Sequence, residues 1–155
     1  MQKSKRYLSE MAEMYGLPNE LYIMKRGVKQ KGDLRYDITE IPAIVINGQF
    51  NKTHGHIHSS GHDEEYIVLE GEAIFIFFDK DKFWSINAKK GNKVHIPGDA
   101  YHTTINPSKN KTLRLANWIH KDCVSDYKLI KQKKGMPFYY TTKGWVKNPN
   151  YEINF

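Results

Sequence analysis

From Leu34 onward the chain alternates short runs of β-branched and aromatic residues with polar turns. Tyr36, Ile38 and Ile41, then Ala43-Ile44-Val45-Ile46, are strand formers, and Asn47-Gly48 is a turn signal. Residues 66–69 and 73–78 flank Glu70-Gly71-Glu72, a pattern that predicts a tight hairpin. Residues 83–86, 94–96, 103–105 and 113–119 predict further strands. The Lys, Asn, Gly and Pro turns between them recur about every 8 to 12 residues, the cadence of a small sandwich or barrel. Upstream, Leu8, Met11, Ala12 and Tyr15 keep the i, i+3, i+4, i+7 spacing of a helix face, so residues 5–15 predict a helix stopped by Gly16 and Pro18. Leu21-Tyr22-Ile23-Met24 begins a strand that the polar stretch 25–33 interrupts. Residues 120–155 read as irregular chain with short strands at 138–142 and near Trp145.

The pattern therefore predicts an all-β fold, a small β-barrel with a short N-terminal helix. At 155 residues it reads as one domain: 1–33 a helix and arm, 34–119 the barrel core, 120–155 C-terminal strands that wrap it. Cys123 is the single cysteine, so no internal disulfide forms and a reducing compartment is expected. No apolar run approaches the roughly 20 residues of a membrane span, and the N-terminus lacks an apolar signal core. The expectation is a cytoplasmic protein with no membrane partner.

A formal charge of +7 raises the question of nucleic acid. The lysines do not cluster for it. They are spread through turns such as Asp79-Lys80-Asp81-Lys82, Ala88-Lys89-Lys90-Gly91 and Ser108-Lys109-Asn110-Lys111, and the densest run, 128–134, carries Ile130 and no aromatic. They read as solvated loops, with no nucleic-acid partner. The positive field they create favours capture of a small phosphorylated anion.

The chemistry lies in two stretches. In Gly55-His56-Ile57-His58, an extended backbone puts both imidazoles on one side, about 7 Å apart, which suits two ligands on one ion. After a short turn-like insert, Glu64 shares its face with Tyr66 and Val68, while Glu65 points the other way. Downstream, His102 follows Pro97-Gly98-Asp99 and opens another β-branched run. His54, His62, His95 and His120 read as surface or packing residues. Three imidazoles and a carboxylate suit one divalent ion per chain, Fe(II) or Mn(II) first and Ni(II) or Zn(II) after them.

The first stretch resembles the first cupin motif, His-x-His and then a Glu seven residues before a glycine, as Glu64 stands before Gly71. The second, Gly91 through Pro97 to His102 and Asn106, resembles the second cupin motif, although the usual proline-x-glycine turn reads Pro97-Gly98-Asp99. Metal ligation by His56, His58, Glu64 and His102 follows from this resemblance, as does a cupin, jelly-roll-like barrel. Leu34-Arg35-Tyr36-Asp37-Ile38-Thr39, the segments from Leu21 and from Ser125, and Asn148-Pro149-Asn150-Tyr151 are similar to the cupin-type phosphoglucose isomerases, over most of the chain.

That family implies interconversion of glucose 6-phosphate and fructose 6-phosphate, with Glu64 as base in a metal-bound cis-enediolate route and a hydride shift as the other route. It implies a sugar phosphate whose phosphate meets hydroxyls and main-chain N–H groups at Thr39, Thr53 and Gly55. Tyr66 matches a pocket tyrosine. Trp118 stands where the family has a tyrosine, and Ser125 where it has a histidine; Tyr127 or His120 stand near enough to compensate. The homodimer usual for cupins is expected. The alternatives are another sugar or sugar-phosphate isomerase or epimerase, a cupin dioxygenase, and a sugar-binding cupin without catalysis.

Overall fold

Antiparallel ladders make up nearly all the regular structure in this computed structural model, which describes residues 2–7 and 20–152. The largest sheet has six strands in the order β1-β2-β3-β12-β7-β10. These are β1 (Gln2–Tyr7), β2 (Glu20–Lys31), β3 (Leu34–Ile41), β7 (Glu64–Glu70), β10 (Lys93–Ile96) and β12 (Leu113–His120). A second sheet, β11-β8-β9, joins β8 (Glu72–Asp79), β9 (Lys82–Lys89) and β11 (Tyr101–Ile105). Smaller pieces complete the fold: β4 (Val45–Ile46) and β5 (Gln49–Phe50) with the C-terminal hairpin β14 (Phe138–Thr141) and β15 (Gly144–Lys147), and β6 (Ile57–His58) paired with β13 (Ser125–Asp126).

The core draws on both main sheets, with Phe75, Phe77 and Ile76 of β8 packed among Ile105 of β11, Leu113 and Leu115 of β12 and Val68 of β7. Residues 73–78 are buried throughout, so β8 shows no alternation. Trp84 of β9 stacks on Phe77 with ring centroids 5.3 Å apart.

Register in the large sheet fixes which side chains share a face. Asn117 of β12 lies between Asp37 of β3 and Tyr66 of β7, and Ile119 between Arg35 and Glu64. Thr39, Leu115 and Val68 form a third row of the same parity. Parity therefore turns Arg35, Asp37, Thr39, Glu64, Tyr66 and Asn117 to one side.

Three expectations change. The helix over 5–15 is not borne out where it can be checked, because Lys5, Arg6 and Tyr7 end strand β1, paired with β2; residues 8–19 lie outside the described residues. The polar stretch after Met24 does not interrupt the strand. β2 runs on to Lys31, because its backbone groups pair with β3 and a register shift between Lys25 and Lys29 takes up the mismatch. The lysine-rich run contains a short helix, α1 (Lys128–Lys133), whose Ile130 is fully buried. Among the described residues no helix is long and apolar enough to cross a membrane.

Candidate metal centre

His58 ends β6 and His56 stands just before it, bridged to β11 by a His56↔His102 pair with hydrogen bonds in both directions, 3.1 and 3.0 Å. That bridge brings the two separated motifs together. Glu64 opens β7 and turns inward, buried, while Glu65 is exposed. One ligand atom from each of His56, His58, Glu64 and His102 lies within 4.8 Å of all the others. Among the described residues this is the one group of three or more such side chains that could hold an ion.

The imidazoles are oriented by backbone carbonyls. His58 Nδ1 lies 2.6 Å from the His62 carbonyl oxygen and His102 Nδ1 lies 3.2 Å from that of Ala100. A carbonyl only accepts, so each Nδ1 carries the proton and each Nε2 lone pair is aimed at the cluster. His56 Nε2 stands 3.2 Å from His58 Nε2, and Glu64 Oε1 stands 3.3 Å from His58 Nε2 and 3.2 Å from His102 Nε2. His102 Nε2 is buried and has no hydrogen-bond partner; its approach to Glu64 is close but not aligned as a hydrogen bond. Lone pairs converging on a buried carboxylate repel one another unless a cation lies between them. Separations near 3 Å are also the spacing of adjacent donors on an ion with bonds of about 2.1 Å. The donor set therefore fits a divalent ion.

With no ion between them, protons on the imidazoles are the alternative source of positive charge beside Glu64, and the titration of the group shows that demand. Burial alone would raise the Glu64 carboxyl, but His102 and His58 against its Oε1 outweigh that and hold it down to about 2. Burial, with His102 beside it, pushes the His56 imidazole well below its ordinary range, so it is a neutral donor. Burial would lower His58 too, but the Glu64 carboxylate and the His62 carbonyl raise it above its usual value.

The other Glu64 oxygen, Oε2, accepts a 2.7 Å hydrogen bond from Asn117 Nδ2. Sequence reasoning passed over Asn117. The signal was available: between Leu115 and Ile119, its parity places a polar amide on a buried face, where it needs a partner.

A cavity of about 340 Å³ opens in front of the cluster, a size suited to a small ligand. It is lined by His56, His58, Glu64, Tyr66 and Asn117 and, farther along the six-stranded sheet, by Arg35, Asp37 and Thr39 of β3 and Met24 and Arg26 of β2. Cys123, Val124, Ser125 and Tyr127 complete the lining. Tyr127 also meets His56 edge-on, centroids 5.1 Å apart. Burial and the Glu64 charge raise the Tyr66 hydroxyl well above its ordinary value, so it remains a neutral phenol.

Three of the expected substrate contacts do not line this cavity. Thr53 Oγ1 is 2.9 Å from Thr103 Oγ1 and accepts from the Thr104 N–H, so its hydroxyl is committed to β11. Gly55, at φ +89°, is needed for the same strand: a Cβ there would come 3.3 Å from Thr103 Cβ and 3.4 Å from the His102 carbonyl. Trp118 has the parity opposite to Asn117, and packs on the outer face against Tyr36 at 4.8 Å. Of the remaining histidines, His54 is buried, with its N–H donating to the Tyr22 hydroxyl, while His62 stacks on His120 with centroids 4.4 Å apart and His95 is exposed beside Asp63.

A barrel of packed antiparallel sheets that gathers three histidines and a glutamate from two motifs is a cupin. Solved structures share the fold. The Schizosaccharomyces pombe Cnp3 cupin domain superposes with a TM-score of 0.50 at 15% identity, over 73% of this chain and 67% of that one. An RmlC-like cupin protein from Desulfovibrio desulfuricans gives 0.50 at 18%, over 65% and 83%. An oxalate oxidase, solved with the substrate analogue glycolate, gives 0.52 at 13%, over 81% of this chain and 54% of that one. At these identities the likeness is one of fold. No curated protein sequence matches the chain significantly. Within the cupins the chain belongs to the Glucose-6-phosphate isomerase (GPI) family, whose profile matches residues 12–154.

Proposed function

We propose that this protein interconverts glucose 6-phosphate and fructose 6-phosphate by moving hydrogen between C1 and C2 of the open-chain sugar. The observation that carries the reading is the buried, unpartnered His102 Nε2, converging with His56, His58 and Glu64 at the end of a cavity of about 340 Å³. The family match over residues 12–154 supplies the reaction class. Those four side chains would hold one divalent ion, Fe(II) or Mn(II), whose contribution when bound is to polarise adjacent carbonyl and hydroxyl oxygens as a Lewis acid.

The remaining work falls to the chain. Thr39 and Tyr127 line the cavity where they can hold sugar hydroxyls. Tyr66, kept as a phenol, donates to an oxygen on which negative charge develops. Glu64 takes the proton from one carbon and returns it to the other through an enediolate. A carboxylate that also ligates a cation is a weakened base, so its rate depends on position, which the Asn117 amide fixes. Hydrogen carried in this way exchanges with solvent, whereas a hydride shift retains it, and deuterium uptake from D₂O into the product distinguishes the two.

The test is a coupled assay of fructose 6-phosphate beside mannose 6-phosphate and unphosphorylated sugars. EDTA should reduce activity to background and Mn(II) or Fe(II) should restore it, with His102→Ala losing metal and activity together. Full activity in a metal-free sample would overturn the reading. The same proposal takes the enzyme to be cytoplasmic and homodimeric, the latter checked by sedimentation.

A further inference from the structure

The cavity has two arginines, and they are not equivalent. Arg35 is committed: its Nε and Nη2 each lie 2.9 Å from an Asp37 oxygen in a bidentate pair, and Asp37 Oδ1 also accepts the Gly27 N–H at 2.9 Å. Its charge is cancelled by the acid it grips. Arg26 lines the same cavity, and among the described residues it makes no ion pair. Lys25, one residue earlier, points to the other side of β2 and pairs with Glu40 at 3.4 Å. The strand thus sends one cation out to a partner and one inward.

The placement across the sheet gives that cation a use. β2 lies three strands from β7, so the backbone bearing Arg26 is about 14 Å from the one bearing Glu64, with the cavity between. A ligand with reacting oxygens at the cluster and an anionic group at its far end would span that gap. Charge supports the same length of ligand. The two arginines, Asp37 and Glu64 sum to zero, and a divalent ion on the cluster raises the cavity to about +2, the complement of a phosphate dianion. With the Thr53 hydroxyl committed to β11, the far end of the cavity from the cluster presents the Arg26 guanidinium near the Thr39 hydroxyl.

We propose that Arg26 is the residue that binds the anionic end of the substrate and sets the preference for phosphorylated over unphosphorylated sugars. The Arg35–Asp37 pair is a positioning element that holds the β2 bulge beside Arg26. This inference rests on the sugar-phosphate reading above, and its test is a binding measurement that does not require turnover.

Sorbitol 6-phosphate and sorbitol are titrated calorimetrically into the Mn(II)-loaded protein. The wild type should prefer the phosphorylated polyol. Arg26→Gln should weaken sorbitol 6-phosphate about 10- to 100-fold, the range for charge-assisted hydrogen bonds, and leave sorbitol unchanged. Arg26→Lys, which keeps the charge but loses the planar fork, should fall between them, and it preserves the test if the glutamine variant does not fold. Lys25→Gln removes the same charge from the outer face and should change affinity less than about 2-fold. Equal affinity of the wild type for the two polyols, or undiminished phosphate preference in Arg26→Gln, would overturn the proposal. If the binding pattern holds while fructose 6-phosphate is not isomerised, the isomerase reading fails and the anion site stands.

Discussion

Gly98 shows how much of the metal centre depends on a residue that carries no chemistry. It is needed for space: a Cβ at 98 would collide with the carbonyl oxygens of Gly61 and His62, and the His62 carbonyl is the one that orients His58. Gly98 N–H also donates to Asp63 Oδ1 at 2.7 Å, so the second motif's turn is bolted to the loop between His58 and Glu64. Gly98→Ala should therefore lower Mn(II) affinity about 10- to 100-fold with the fold retained, the scale seen when a partner of a ligating imidazole is lost. Competition with a fluorescent chelator would read it. Lys52 makes a different prediction. Burial lowers its amine to about 7; Nζ donates to Gln49 Oε1 at 3.0 Å and lies 4.6 Å over the Tyr139 ring. Below pH 7 the amine is charged in both the folded and the unfolded chain, and burying it is costly. Between pH 7 and about 10.5 only the unfolded chain still binds the proton, so this residue's contribution to stability rises with pH across that window, on the order of a few kcal/mol in total. In thermal melts from pH 6 to 10, wild type should gain stability relative to Lys52→Met as pH rises. A constant difference between the two would contradict this.

At the level of single residues, period-two alternation alone separates an inward Glu64 from an outward Glu65. It equally contained the answer for Trp118: Leu115, Asn117 and Ile119 share one parity, so the tryptophan between two of them had to face outward. A resemblance that aligned Trp118 with a pocket tyrosine carried no parity with it.

Among the elements, β2 was the least legible and bears most on the cavity. Its polar second half has no apolar period, because its pairing comes from backbone bonds to β3 and from one acid. Asp37, 7% exposed, ties the bulge to β3 by accepting the Gly27 N–H and both arms of Arg35. Asp37→Ala leaves that N–H and the guanidinium without their acceptor, and should cost about 1–3 kcal/mol in urea denaturation. The short helix α1 was hidden for a similar reason: one buried isoleucine among lysines gives no helical period over six residues.

For the molecule as a whole, the cluster takes its ligands from both main sheets. Glu64 stands on β7 of the six-stranded sheet, His102 on β11 of the three-stranded one, and His56 on the segment bridged to β11. An ion that binds only the folded arrangement stabilises it by mass action. Mn(II) at a hundred times its dissociation constant should add about 2.7 kcal/mol and raise the melting temperature in step with concentration. His102→Ala should abolish the increase.

The paired amides of His56 and His102 join the first motif to β11, each bonded to the other residue's carbonyl. With the ion bound, opening that seam means breaking metal bonds as well as the ladder, so these two N–H groups should exchange with deuterium far more slowly in the loaded protein. Removing the ion would free them first, before the interior of β8.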